Sequence, residues 1–414
     1  MAIFRPFQAF RPTPENQKSI PALPYDVMSS DEARELVKGN VLSFLHVDKA
    51  EVDLDPGIDL YDARVYAKAK ENLQRLEKSG VMVQDATPCF YIYQQVMNGR
   101  CQTGIAGCAG IDDYTSNVIK KHELTRADKE ADRIRHVDTC DANTGPIFLT
   151  YRNHPKINQI VESYMGTYTP VYDFVTEDGV TNTVWVIEDK KICDEISQIF
   201  SGIESLYIAD GHHRCASAVK VGMKRREQMK KYTGNEEFNF FLCVAFPDEQ
   251  LKIMDYNRVV ADLNGLSRDQ FLKRVYVKFD IQRMGRQPQK PVKNHTFGMF
   301  LENEWYLLTA KEGTFDEKDP VARLDVSILQ QNLLAPVLGI GDPRVDKRID
   351  FVGGIRGVGE LEKRVRNGAA VAFSMYPTTV EELMDIADAD KIMPPKSTWF
   401  EPKLLSGLFI HHLD

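Results

Sequence analysis

A chain of 414 residues with 43% apolar and 27% charged residues has the composition of an ordinary globular protein, long enough to bury a large core and to form two domains. Its net charge of −8 argues against a dedicated nucleic-acid binder, which would present a basic face. No apolar run approaches the roughly 20 residues that cross a bilayer, and the amino terminus lacks an apolar leader core. The seven cysteines (89, 101, 108, 140, 193, 215 and 243) contain no C-x-x-C pair, which excludes a zinc ribbon or dithiol motif and points to a reducing cytoplasm.

In chain order, Phe4, Phe7 and Phe10 alternate with polar residues before an extended, Pro-rich stretch from Pro21 to Asp26. Amphipathic spacing predicts helices over Ser30 to Val37 and Tyr61 to Ser79, the second with Val65, Ala69, Leu73 and Leu76 on its apolar face and Gly80 as its stop. Phe90 to Val96 is β-prone, and Asn98-Gly99 is a hairpin signal into Thr103 to Gly110. Gly104, Gly107 and Gly110 are followed by no Lys-Ser/Thr and open no helix, so close strand packing explains them better than a phosphate loop. Thr125-Arg-Ala-Asp128 matches an acidic capping box, placing a helix start at about Arg126. Lys129, Asp132, Arg133 and His136 then form one polar stripe, and Lys121-His122-Glu123 precedes the helix at a place suited to phosphate; a solvated ion-pair face is the plainer account. Ile147 to Tyr151 and Thr183 to Ile187 read as strands.

Leu206 to Ala209 reads as a buried strand that breaks at Asp210-Gly211 and enters a helix with Ala216, Val219 and Met223 at helical spacing. The first N–H groups of such a helix have no intrahelical partner and sit at the positive end of its dipole, so the junction suits an anion. Gly211 lets the backbone approach, Arg214 offers a planar fork for phosphate oxygens, and His212 and His213 add donors or proton carriers. The bland alternative is that Asp210 caps the helix and the histidines decorate a surface turn. Lys224-Arg225-Arg226 and Lys230-Lys231, interrupted by Glu227, suit a solvated helix face. Phe238 to Phe246 predicts a central strand, a second lobe is expected from near Ala261, and a hairpin joins Gly298–Leu301 to Trp305–Thr309. Thr378-x-x-Glu381 is a further capping box, and Leu408 to Ile410 a closing strand. Lys396, Ser397, Thr398 and Lys403 form a polar cluster in a Pro-fixed loop, and Arg258 is a further candidate contact.

The segment Ile208-Ala-Asp210-Gly211-His212-His213-Arg214-x-x-Ser217-Ala218 resembles the signature turn of the ParB/sulfiredoxin-like superfamily, which includes free-serine kinases. Over its length the chain is similar to the bacterial and archaeal DUF1015 family. The matching blocks are Leu23 to Val27, Lys121 to His136, the turn at Asp210, and the tail from Met393 to Leu408. The resemblance implies an α/β (α+β mixed-sheet) protein with a ParB/sulfiredoxin-like core and added N- and C-terminal elements. The expected division is an N-terminal segment at 1–87, a phosphate-binding core at 88–260 and a C-terminal α/β lobe at 261–414. Cys215 follows Arg214, whereas sulfiredoxins place their reactive cysteine where His212 stands, so Cys215 reads as a packing residue.

The superfamily likeness implies a cytoplasmic phosphotransferase acting on a small hydroxyl metabolite, with serine or phosphoserine as leading candidate and the direction open. Glu123 is the preferred general base, by resemblance to the glutamate that superfamily kinases place before the signature turn; His213 and Asp210 complete the catalytic candidates. Phosphate or nucleotide contacts are expected from Gly211, His212 and Arg214, and from Lys121, His122, Arg133 and His136. Substrate contacts are expected from Asp26 and Arg258, and from Lys396, Ser397, Thr398 and Lys403. Mg²⁺ with ADP, ATP or CTP would be the cofactor pair, and the partner a phosphorylated small molecule, with no membrane or nucleic acid; homo-oligomerisation is open. Two other classes compete. Asp210, His212, His213, His122 and His136 are ligand types for a metal-dependent phosphoesterase, although no H-x-H or H-x-x-x-H spacing occurs at the turn. A ParB-like nucleotide-binding regulatory module is the third, with the acidic charge and the lack of a basic helix-turn-helix against it.

Overall fold

Asn98 and Gly99 both take positive φ, 52° and 75°, the geometry that a two-residue hairpin between right-twisted strands demands. They join the long paired strands of a mixed sheet in a computed structural model that describes residues 2–229 and 231–414. The chain divides into two units, Met1–Leu251 with Pro402–Asp414, and Lys252–Glu401.

In the first unit the sheet has nine strands among the described residues. They are β1 (Phe4–Arg5), β2 (Phe90–Met97), β3 (Arg100–Gly110), β4 (Ile119–Lys120), β5 (Ile147–Tyr151), β6 (Tyr172–Val175), β7 (Thr181–Ile187), β8 (Leu206–Asp210) and β9 (Phe240–Pro247). Their order is β4-β8-β5-β9-β3-β2-β7-β6, with β1 added along the far half of β3. The β4/β8 and β5/β9 pairs are parallel and the other pairings antiparallel, so this is a mixed α/β architecture. Along β3 the glycines answer a packing need: a Cβ on Gly104 would lie 2.8 Å from the Phe246 ring, and one on Gly107 2.7 Å from Phe90.

Helices α1 (Ser30–Leu36), α2 (Ala63–Lys78), α3 (Ala127–Cys140), α4 (Pro155–Thr167), α5 (Lys190–Ser201) and α6 (His212–Gln228) belong to this unit. Ile196 and Phe200 of α5 and Val219 of α6 share one buried cluster with Ile105, Leu149, Ile208 and Phe241 of the sheet. A second cluster joins Phe44 and Val47 to Leu73 and Leu76 of α2 and to Ile410 near the carboxyl end. Burial of such aliphatic and aromatic side chains stabilises by about 1.5–3 kcal/mol each, so these stripes set which helix face turns inward.

Several local details differ from the sequence expectations. Helix α1 begins at Ser30 as its spacing predicts, and Ser29 caps it in a reciprocal box with Glu32. No capping box starts α3: Arg126 is its N-cap, and the Thr125 hydroxyl donates to Glu130 instead, at 2.6 Å. The basic run on α6 is paired, with Lys224 and Arg225 on Asp138 and Arg226 on Asp112; Lys230 lies outside the described residues. In place of a closing strand at Leu408 to Ile410, Ile410 bridges Phe10 and the strand proper is His411–His412, paired with Ala142–Asn143. Among the described residues no helix is long and apolar enough to cross a membrane.

The second unit is built on an antiparallel sheet with six strands among the described residues: β10 (Tyr256–Val260), β11 (Phe279–Gly285), β12 (Thr296–Leu301), β13 (Glu304–Ala310), β14 (Ile349–Gly353) and β15 (Val371–Ser374). Its order is β11-β13-β12-β15-β10-β14. The β12/β13 hairpin turns at Glu302 and Asn303, both with positive φ. Thr379 with Glu382, not Thr378 with Glu381, caps the helix Val380–Asp388, because the Thr378 hydroxyl donates to the Ser397 carbonyl.

Candidate functional site

The two sequence blocks that carry polar candidates meet at one edge of the large sheet. β4 pairs in parallel with β8, Ile119 beside Leu206 and Lys120 beside Tyr207, so both chains leave the sheet in the same direction. His122-Glu123 therefore arrives beside the turn that follows β8. The His122 and His212 rings meet edge to face, with centroids 4.4 Å apart, and His212 Nδ1 lies 3.9 Å from Glu123 Oε2. Both histidines are buried, His122 to 1% exposure and His212 to 6%. Burial drives both pKa values down, His122 well below the usual range and His212 to about 4, with neighbouring cations and imidazoles adding to it and Asp210 opposing it. Lys121 stays exposed, its ammonium 5.0 Å from the Tyr114 ring centroid.

At the turn itself, Asp210 Oδ1 accepts the Gly211 N–H at 2.8 Å, and Oδ2 receives Lys403 Nζ at 2.9 Å. Burial pushes the Asp210 carboxyl up, but Lys403, Arg214 and the Gly211 N–H outweigh it and hold the group below the ordinary carboxylate range. Gly211 has φ 88°, and a Cβ there would lie 3.1 Å from Arg214 Nε. Glycine thus allows the Arg214 guanidinium to fold back over the turn. Arg214 Nη1 is anchored on the Pro146 carbonyl at 2.7 Å, while Nε is buried with no acceptor. The adjacent histidines point apart: His213 Nε2 accepts the Arg126 N–H at 3.1 Å, tying the turn to the start of α3.

Beside Arg214 runs a narrow cleft lined also by Tyr25, Asp48, Arg133, His136 and Gly145. The Arg133 guanidinium stacks over the Tyr25 ring, 4.1 Å from its centroid, and pairs with Asp132, which also accepts the Tyr66 hydroxyl. Burial lowers the Arg133 pKa, yet Tyr25, Asp132 and Asp48 outweigh burial and raise it, so this arginine stays charged. Burial first, then Asp26, raises the Tyr25 phenol, which therefore remains a hydrogen-bond donor at neutral pH. His136 is buried, with Nε2 3.1 Å from the Val47 carbonyl. The polar stripe of α3 is thus packed inward from Asp132 to His136, with Lys129 over Tyr61 at its start. Asp26, next to Tyr25, is exposed.

Of the remaining sequence candidates, Arg258, Lys396, Ser397 and Thr398 belong to the second unit. There Arg258 is buried, burial lowers its pKa to about 10, and its Nη2 donates to the Lys396 carbonyl at 3.0 Å. Ser397 Oγ donates to the Pro394 carbonyl at 2.6 Å. Lys403 instead belongs to the first unit. Tyr25 stands inside the block Leu23 to Val27, where an aromatic next to a proline carries the signal of core packing rather than of a site. Pro146 acts through its backbone carbonyl and leaves no side-chain signal in the sequence.

The fold and site define an α/β protein whose polar residues converge on a strand–turn–helix junction at a sheet edge. The chain belongs to the family described as Protein of unknown function (DUF1015), whose profile matches residues 4–327. Among curated proteins, none matches. Solved structures that it resembles include a conserved hypothetical protein from Pyrococcus furiosus (14% identity, 72% of this chain and 91% of that one, TM-score 0.37). Others are a free serine kinase in complex with AMP (13%, 71% and 86%, 0.37) and SbnI with a C-terminal truncation from Staphylococcus aureus (10%, 73% and 85%, 0.35).

Proposed function

We propose that this chain binds a phosphorylated small molecule, a nucleotide or a phosphometabolite, at the Asp210–Arg214 turn and transfers a phosphoryl group to or from a small hydroxyl compound. The observation that carries the reading is Arg214 Nε, a buried guanidinium N–H without a protein acceptor at the first turn of α6. A buried donor left unpaired costs about 1–3 kcal/mol, and more when charged, so a site that retains one is built for an acceptor that arrives from outside. A phosphate oxygen fits: the helix start favours negative charge, and Arg133 lines the same cleft.

In the transfer direction, the acceptor hydroxyl oxygen attacks the terminal phosphorus, its proton passes to the Glu123 carboxylate, and the nucleotide leaves with the bond electrons. Glu123 is suited to the proton by its place beside His212 and by partial exposure, 39% of its side chain. Asp210, held by Lys403 and Gly211, keeps the turn in shape rather than taking a proton. Mg²⁺ arriving with a nucleotide would be held chiefly by the phosphates, since that ion needs only one or two protein carboxylates. Serine heads the acceptor candidates through the signature-turn resemblance, with phosphoserine as the phosphoryl donor in the reverse direction.

The test is a thermal-shift panel of ATP, ADP, CTP, phosphoserine and serine with Mg²⁺, followed by calorimetry on Arg214→Ala. A ligand selective for the native state raises Tm. Loss of a charge-assisted contact worth about 1.5–3 kcal/mol should weaken binding of the stabilising ligand roughly 10- to 150-fold. A panel in which no phosphate compound shifts Tm overturns the reading.

A further inference from the structure

We propose that His122, Glu123 and His212 form a binding site for one divalent transition-metal ion per chain. One ligand atom from each of the three lies within 4.8 Å of the others. A tetrahedral ion with ligands at about 2.0–2.1 Å needs its donors about 3.3 Å apart, so binding draws the three groups closer together.

The second observation is independent of that spacing. Both ring nitrogens of His122, and Nε2 of His212, are buried without a well-formed hydrogen bond, although each ring offers a donor and an acceptor. The Ile208 carbonyl lies near enough to favour a charged His122 but does not make a proper bond to it. Imidazole nitrogens enclosed at 1% and 6% exposure, set edge to face and beside a carboxylate, have the donor set that selects Zn²⁺, Mn²⁺ or Fe²⁺ over Mg²⁺, which prefers oxygen ligands. Three protein ligands with a fourth position open is the pattern of a reactive rather than a purely structural site.

No local motif announces this set. His122-Glu123 and His212 stand about ninety residues apart, and the parallel pairing of Ile119–Lys120 with Leu206–Asp210 brings them together. Bound metal would engage the Glu123 carboxylate, so the ion and the acceptor's proton compete for it. Ion binding itself does not depend on the phosphoryl-transfer reading.

The experiment uses the full chain, stripped by chelator, dialysed, and titrated with ZnCl₂ and with MnCl₂ by calorimetry, with metal content measured afterwards. Expected is one ion per chain, unaffected by excess Mg²⁺, with affinity at least tenfold lower in Glu123→Gln and in His212→Asn and unchanged in His295→Asn. Co²⁺ loading should give visible d–d bands that both ligand variants weaken, a readout that also serves if His122→Asn fails to fold. Stoichiometry well below one, or equal affinity in Glu123→Gln, His212→Asn and the unaltered chain, overturns the inference and leaves water as the partner of these nitrogens. Phosphate-ligand binding is measured on the stripped protein, so its loss strikes the proposed function alone.

Discussion

Lys403 Nζ sits 2.9 Å from Asp210 Oδ2, across 193 residues of sequence, and is the contact by which the carboxyl-terminal segment fixes the turn. Removing the ammonium leaves a carboxylate in a partly buried place, with the Gly211 N–H and Arg214 still favouring its charge. Lys403→Met should therefore destabilise by about 1–3 kcal/mol at neutral pH, the range for an orphaned polar partner. Asp210→Asn combined with Lys403→Met should cost less than the sum of the two single changes.

The same pair predicts a change in acid sensitivity. Asp210 has a depressed folded pKa, so it stabilises the native state above the unfolded value of about 3.9 and loses that contribution as pH falls through the folded value. Without Lys403 the depression shrinks, and urea denaturation followed from about pH 5 downward should show a shallower loss in Lys403→Met. Parallel acid limbs would show that Lys403 does not set the Asp210 charge.

At Gly211, two effects of a side chain are separable. Alanine must adopt φ near 88° and bring its Cβ against the Arg214 guanidinium. The left-handed conformation costs an L-residue about 1–2 kcal/mol, and less for asparagine. Gly211→Asn should then recover part of the stability lost in Gly211→Ala. Phosphate-ligand affinity should stay low in both, because both displace Arg214. Full affinity in either variant, measured by calorimetry, would count against the folded-back arginine as the phosphate contact.

For Glu123, the isosteric change to glutamine keeps the shape and removes the base. Turnover of a phosphoryl-transfer substrate should fall by about 10²- to 10⁴-fold with ligand affinity nearly unchanged. Single-turnover kinetics on metal-stripped protein gives the comparison, and retained turnover would send the search for a base to Asp26 or Asp132.

His136 supplies a pH dependence of opposite origin. Burial and Arg133 lower its pKa, against the pull of Asp48 and the Val47 carbonyl, so the native state holds it neutral. The unfolded chain takes up a proton below about pH 6.5, and stability therefore drops as pH falls below that value until the folded group also titrates. His136→Gln, which retains a donor for Val47, should flatten the fall in Tm between about pH 7 and 5. An unchanged slope would place the acid sensitivity elsewhere.

Much of this architecture was legible along the chain because it rests on local chemistry. Asn98-Gly99 supports positive φ wherever it occurs, the spacing of Val65, Ala69, Leu73 and Leu76 makes one helix face apolar, and a buried run ending in Asp210-Gly211 before a helical pattern is a strand–turn–helix junction in any context. Cap residues were harder. Thr125 and Thr378 had the right spacing, but Glu130 and Ser397 offered their hydroxyls better partners from outside the cap.

Only the tertiary structure decided which candidates share a place. The two-residue strand Ile119–Lys120 has too few side chains to advertise a pairing, yet its parallel register with β8 sets His122 and Glu123 against His212. The Asp210 partner lies in the carboxyl-terminal segment of the chain, and the Arg214 anchor is a backbone carbonyl common to every residue type. Whether a buried N–H lacks an acceptor depends on every segment packed around it. Sequence therefore determined the turn and the kinds of group it carries, while long-range packing determined that Arg214 Nε and the His122 nitrogens were left without protein partners.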